Sequence, residues 1–254
     1  VYNKISFFLN DELCEVGGDE TLLTLADFLR RKRALTGTKI VCGEGDCGAC
    51  TLLFNSFMGK SLSDYLPVNS CILPLFAIHG GHVITVEGLT KYHSTLMTEI
   101  QDSLVRNHGT QCGYCTPGIV AALSAYFNTR PKKVDMSSIK NALTGNLCRC
   151  TGYLPIIEAA LEVNQSKINN LSTLYNSKTI KQKLSEARKK NIVLETAQSS
   201  IYIPTSTRQL MSIKRKKTSS MIFSGGTDIV VQHKHHRPLP KNIISLNSIQ
   251  EFYE

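Results

Sequence analysis

Eight of the nine cysteines in this 254-residue chain fall into two compact quartets, Cys42, Cys47, Cys50, Cys71 and then Cys112, Cys115, Cys148, Cys150. Thiols bunched at ligand spacing constrain a fold strongly, because the backbone must bring several sulfurs around one inorganic centre. The first quartet has the spacing C-x4-C-x2-C followed by a distant cysteine, which suits thiolates wrapped around a flat plant-type 2Fe-2S rhomb. The second joins a C-x-x-C to a C-x-C. Both donor sets select a soft metal centre, whether zinc, copper(I) or iron-sulfur, over hard oxygen-seeking ions.

In the run CGEGDCGAC, Cys42 to Cys50, three ligands share so tight a loop that the backbone needs left-handed or crowded conformations, which Gly43, Gly45 and Gly48 can supply. Small residues also let backbone N–H groups reach cluster sulfurs, which raises a reduction potential. Cys71 is expected to close the site from a strand end. Structural zinc motifs seldom combine a four-residue gap with three glycines, so the first quartet reads as an iron-sulfur site. Taken alone, the second could equally cage zinc. A thioredoxin-type pair at Cys112 and Cys115 would need a strand and helix around it, whereas the surroundings read as a helical bundle.

Composition narrows the setting. No apolar run approaches the roughly 18 to 20 residues that span a bilayer, and no charged-then-apolar leader opens the chain, so a cytoplasmic location without membrane contact is expected. A disulfide framework would leave one cysteine over. The net charge of +9 resides largely in two runs, Lys178 to Lys190 and Lys214 to Lys217, without interleaved aromatic residues. They read as solvated helix or linker faces rather than a nucleic-acid surface.

The period of the apolar residues changes along the chain. Ile5, Phe7 and Leu9 alternate with polar neighbours and face Leu13 to Val16 across a short turn, which predicts a hairpin. Helical spacing follows over Thr24 to Ala34, then strands over Thr51 to Phe57, Val68 to Leu73 and Val83 to Val86. From Ser94 the pattern is helical, with Leu96, Ile100, Leu104 and Val105 on one face, then Gly118 to Phe127, Ser137 to Leu143 and Pro155 to Val163. The second quartet is thereby expected on loops at helix ends in a four-helix unit. Residues 164–200 have linker composition, in part helical. Met221 to Phe223 then predict a strand running into SGGTD, Ser224 to Asp228, where adjacent glycines would let the backbone approach a phosphate.

The runs KIVCGEGDCGACT (Lys39 to Thr51), QCGYCTPG (Gln111 to Gly118), GNLCRCTGY (Gly145 to Tyr153) and, less specifically, SGGTD resemble the molybdenum hydroxylases, the xanthine dehydrogenase and aldehyde oxidase family. The likeness covers residues 1–163 and, through Ile203-Pro204 and SGGTD, the opening of a flavin domain. It implies an α+β chain: a ferredoxin-like β-grasp 2Fe-2S domain over 1–88, a helical 2Fe-2S domain over 89–163, a linker over 164–200 and part of an FAD-binding domain over 201–254. It implies that both quartets hold 2Fe-2S clusters and relay electrons from a molybdopterin centre, on a large partner subunit of a higher heteromer, towards FAD. By position, Gln111 resembles the glutamine that hydrogen-bonds the pterin, and Ser224, Gly225, Gly226, Thr227 and Asp228 match the loop that binds the FAD diphosphate. Iron-sulfur and flavin regions in one chain resemble xanthine dehydrogenase more than relatives that separate them. With Val1 first, Glu254 last and no molybdenum domain, an incomplete product cut within its flavin domain is expected. The alternatives are a stand-alone two-cluster redox protein and a zinc-stabilised binding module. No nucleophile and base pair stands out as catalytic. Cys14 reads as a buried apolar residue, and His233, His235 and His236 as solvated loop residues.

Overall fold

The structure, a computed structural model, describes residues 2–58, 61–91, 97–175 and 177–253. The expected helical starts at Ser94 and Leu96 lie outside them, as do Val1 and Glu254. Strands β1 (Lys4–Leu9) and β2 (Glu12–Gly17) form the predicted hairpin. Helix α1 (Leu25–Lys32) follows, started by Thr24, whose hydroxyl accepts from the Asp27 N–H, and ended by Arg30, Arg31 and Lys32, where cations suit the helix dipole. The chain then forms β3 (Thr51–Met58), β4 (Ser61–Leu62), β5 (Leu66–Asn69) and β6 (Gly81–Ile84). They complete a six-stranded sheet in the order β2-β1-β6-β3-β4, with β5 paired to β3 and β6 parallel to β1. The strand expected over Val68 to Leu73 ends at Asn69, and a 3-10 turn over Ser70–Ile72 takes its place.

Strand β1 departs from strict alternation, since Ser6 and Phe8 are as buried as Ile5, Phe7 and Leu9. The reason is that both faces of the sheet are covered. Phe7 and Leu52 face α1 and the C-terminal region, whereas Phe8, Leu53 and Ile84 pack into the helical core. That helical region comprises α2 (Val86–Thr90), α3 (Glu99–Arg106), α4 (Thr116–Asn128), α5 (Met136–Ala142) and α6 (Leu154–Leu161). Thr98 and Gln101 form a reciprocal capping box at the start of α3. Val105, expected on the apolar face, is half exposed. Helix α4 is the centre of the bundle, with Gly118 to Ala125 buried without interruption, so it is apolar on all sides.

The described residues of 164–200 pack against both cores rather than forming a free tether. After α7 (Leu171–Leu174), helix α8 (Ser177–Arg188) turns Ile180, Leu184, Ala187 and Arg188 inward while Lys181 and Lys183 stay exposed. That stripe, together with Tyr175, was hidden in the lysine-rich composition. Strand β7 (Ile192–Glu195) opens a second sheet with β8 (Ser200–Ile203), β9 (Met221–Phe223) and β10 (Asn242–Ser245), in the order β7-β8-β10-β9. Helices α9 (Thr207–Lys216) and α10 (Thr227–Lys234) connect its parallel strands.

Candidate electron-transfer centre

Cys42, Cys47 and Cys50 lie on the irregular loop between α1 and β3, and Cys71 lies on the 3-10 turn after β5. Gly43, Gly45 and Gly48 all take positive φ, as the tight loop requires. The loop is tied to the turn from behind: the Asn69 amide donates to Gly45 O at 2.5 Å, and the Ser70 hydroxyl donates to Cys50 O at 2.7 Å. Backbone N–H groups of Glu44 and Cys47 approach Cys42 Sγ at 3.4 and 3.5 Å. Burial works against ionisation of Cys42, but these donors, with those of the Cys47 thiol and Asp46, bring it down to about 7. The Cys71 thiol donates to Cys50 and, against the cost of burial, lowers Cys50 to about 6, while Cys71 itself is pushed far up.

The second quartet gathers at two helix N-termini. Cys115 caps α4, Cys112 precedes it, and Cys148 and Cys150 lead into α6 through Tyr153, a residue at φ 69°. A negatively charged centre is favoured where the helix dipoles present positive ends. Burial opposes ionisation of Cys148 but is outweighed by the Thr151 hydroxyl, 3.2 Å from its sulfur, and by the N–H groups of Thr151 and Cys150. Burial, with the Cys148 thiol beside it, pushes Cys115 up to about 12.

The sulfurs meet in pairs, Cys42 with Cys47, Cys50 with Cys71, Cys112 with Cys150 and Cys115 with Cys148. Among the described residues no group of three or more His, Cys, Asp or Glu side chains is placed to hold one metal ion. Two thiol pairs per quartet match a 2Fe-2S rhomb, in which two irons share four cysteine ligands. Donor chemistry and pairing thus fit such clusters at both quartets.

The two ligand loops touch. The Leu147 N–H donates to Cys47 O at 2.9 Å, and the Asn146 amide donates to Gly48 O at 3.0 Å. A Cβ on Gly48 would stand 2.1 Å from Gly145 O, and one on Gly118 would stand 2.1 Å from Gly48 O. Asn146 and Leu147 were inside a recognised motif, but only the fold shows that they reach the other loop. Gln111 is exposed beside Cys112.

The SGGTD segment forms the turn from β9 into α10. Gly226 is left-handed at φ 72°, and a Cβ there would strike the Phe223 ring at 2.0 Å; the space above Gly225 is open to 4 Å. Ser224, Gly225 and Thr227 line a cavity of about 440 Å³, whose far wall includes Asn69 and Ile72 beside the first cysteine loop. Asp228 does not line it; its carboxylate accepts from the Gln232 amide at 2.6 Å. The same region reaches the cluster loop through Lys234, which donates to Gly43 O at 2.6 Å, and His235, 2.9 Å from a Glu44 carboxylate oxygen. His233 Nδ1 donates to Arg237 O at 2.9 Å, so His233 and His235 are both spent on neighbours. Cys14 is buried on β2, where burial raises its pKa.

A [2Fe-2S] binding domain model matches residues 85–161, the span that holds the second quartet. The chain is 43% identical over 161 residues to a xanthine dehydrogenase of Blastobotrys adeninivorans, covering 62% of this chain and 11% of that enzyme. It is 40% identical over 158 residues to aldehyde oxidase 4 of Cavia porcellus, covering 62% of this chain and 12% of the other. It therefore spans about a tenth of the length of these curated relatives. A chain of quinoline 2-oxidoreductase from Pseudomonas putida 86 superposes with a TM-score of 0.52 at 35% identity, over 63% of this chain and 90% of that one. The paired cysteines, the touching loops and these likenesses converge: the chain belongs to the molybdenum hydroxylases, the xanthine dehydrogenase and aldehyde oxidase family, and comprises their iron-sulfur electron-transfer region.

Proposed function

We propose that this chain carries two 2Fe-2S clusters and serves as the iron-sulfur/flavin part of a xanthine dehydrogenase-like enzyme, relaying electrons from a molybdopterin centre on a large partner subunit towards FAD. Cys112, Cys115, Cys148 and Cys150 hold one cluster, and Cys42, Cys47, Cys50 and Cys71 hold the other. The clusters supply one-electron carriers when bound. The observation that carries the reading is the contact between the ligand loops, where the Leu147 N–H donates to Cys47 O and so joins the neighbour of Cys148 to a residue of the other quartet. With the Asn146 amide on Gly48 O, this bond ties the two ligand loops directly to each other.

Three further roles belong to this proposal. The domain division is 1–88, 89–163 and 201–254, with 164–200 as an ordered connection. Gln111 faces the partner's pterin, a role supported by its exposure beside Cys112 and by the exposed apolar Tyr114, Leu147 and Leu154 near the same loops. Ser224 to Asp228 take the FAD diphosphate, supported by the open space above Gly225 and the N-terminus of α10. Within the described residues no helix is long and apolar enough to cross a membrane. The deciding experiment is metal, sulfide and flavin analysis of anaerobically purified chain, with electron paramagnetic resonance after reduction. About four irons and four sulfides per chain, with two distinct signals, are expected. A colourless preparation holding zinc overturns the proposal.

A further inference from the structure

Arg188, at the end of α8, is 2% exposed and lines the 440 Å³ cavity that also meets the Ser224-Gly225 turn. A buried guanidinium is costly unless a counter-charge and hydrogen bonds offset the lost hydration. Here Nη1 donates to Phe57 O at 3.1 Å and the group stacks 5.7 Å from the Phe57 ring centroid, while Nε and Nη2 have no hydrogen-bond partner. No Asp or Glu among the described residues pairs with it. The titratable groups facing it are His79, kept neutral by burial, and the Tyr253 hydroxyl.

This placement is constructed. Gly80, at φ 71°, leaves the space for the arginine stem: a Cβ there would stand 2.3 Å from Arg188 Cγ. The preceding residue is anchored too, because His79 Nε2 meets Ala187 O at 3.1 Å while His79 Nδ1 accepts from the Ser6 N–H. A fold that makes room for an arginine, fixes the end of its helix and gives it no acid leaves one full positive charge in the wall of a cavity. Across that cavity, the N-terminus of α10 adds partial positive charge and free backbone donors. Apolar side chains, including Phe54, Val68, Ile72 and Leu73, supply the rest of the lining.

We propose that Arg188 is the counter-charge for a phosphate group on the ligand of this cavity, a phosphate-bearing molecule whose flat apolar body lies against Phe54 and Ile72. The proposal rests on reading Ser224 to Asp228 as a diphosphate loop, and it adds a residue from α8, outside that loop, that sets the preference for a charged over an uncharged ligand.

The test uses the full 254-residue chain with three probes, inorganic pyrophosphate, FAD and riboflavin, measured by calorimetry and flavin fluorescence. Arg188→Met is expected to weaken pyrophosphate and FAD at least about tenfold, the scale of one charge-assisted contact, with riboflavin unchanged; Arg188→Lys recovers most of the loss. Equal binding of FAD and pyrophosphate by wild type and Arg188→Met overturns the role of Arg188 and leaves the flavin loop standing. Arg188-dependent binding of pyrophosphate without binding of FAD keeps the phosphate site and removes the flavin reading. Failure of wild type to bind either overturns both. If Arg188→Met does not fold, wild type and Arg188→Lys are compared by the rise in Tm that pyrophosphate produces, and no rise in either sinks the proposal.

Discussion

The backbone N–H of Leu147 donates to the carbonyl oxygen of Cys47 at 2.9 Å, joining residues far apart in the chain. One partner is itself a cysteine of the first quartet and the other adjoins Cys148 of the second. The contact is closed on both sides by residues without side chains, Gly48 and Gly118, and by the Asn146 amide, which reaches both Gly48 O and Thr51 Oγ1. The interface between the loops is thus a main-chain interface, and its tolerance to added atoms is low.

Gly118→Ala is expected to part the loops, because its Cβ would meet backbone that cannot rotate away; overpacking of this kind costs about 1–3 kcal/mol or more. Asn146→Ala removes one of three donors to Gly48 O, which keeps the Thr51 N–H and hydroxyl, and is expected to cost about 0.5–1.5 kcal/mol. In both variants the iron content should persist while the magnetic interaction between the reduced clusters weakens. An unchanged interaction in Gly118→Ala would show that the loop contact does not set the spacing of the two sites.

Cys47→Ser should remove the cluster of the first quartet and leave that of the second, since the thiol pairs of the two quartets are separate. Iron should fall by about half, with one resonance signal retained. Loss of both signals would mean that the loops fold only as a unit, through the Cys47 to Leu147 hydrogen bond.

The hairpin and the principal helices were legible because each rests on a local signal, alternation or a helical period. What was not legible depended on distant surfaces. The alternation over Ile5 to Leu9 passed over Phe8, which packs into the helical core that covers the second face of its sheet. Arg188 was one cation in a lysine-rich run, and only the fold places it at a cavity with Gly80 beneath it. The Ser70–Ile72 turn replaced a predicted strand because Cys71 must turn back towards Cys50, a tertiary demand that an apolar run does not announce.

Leu184→Ala is expected to destabilise the fold by about 2–5 kcal/mol, the range for truncating a buried leucine, because Leu184 is fully buried in the core shared with Tyr175 and Ile180. A linker of the same composition would lose almost nothing. Urea unfolding with a two-state fit measures the difference, and a loss below about 0.5 kcal/mol would return residues 164–200 to the status of a tether.

Acid should weaken the fold through two histidines. Burial holds both His79 and His82 down to about 4. Each is used as a neutral tautomer: His79 accepts from the Ser6 N–H and faces Ala187 O, and His82 lies 2.7 Å from the Tyr65 hydroxyl and 2.8 Å from Asn10 O. An unfolded histidine takes up its proton near pH 6.5, so between about pH 6.5 and 4 the unfolded chain binds protons that the folded chain refuses. The stabilisation is therefore complete above about pH 6.5 and is lost progressively as pH falls to about 4, on the order of 2 kcal/mol per histidine by pH 5. Denaturant unfolding at pH 7 and pH 5, for wild type and for His82→Gln, separates this contribution from that of the carboxylates. The variant starts less stable but should lose less on acidification; an equal loss in both proteins would show that His82 is not held neutral by its burial.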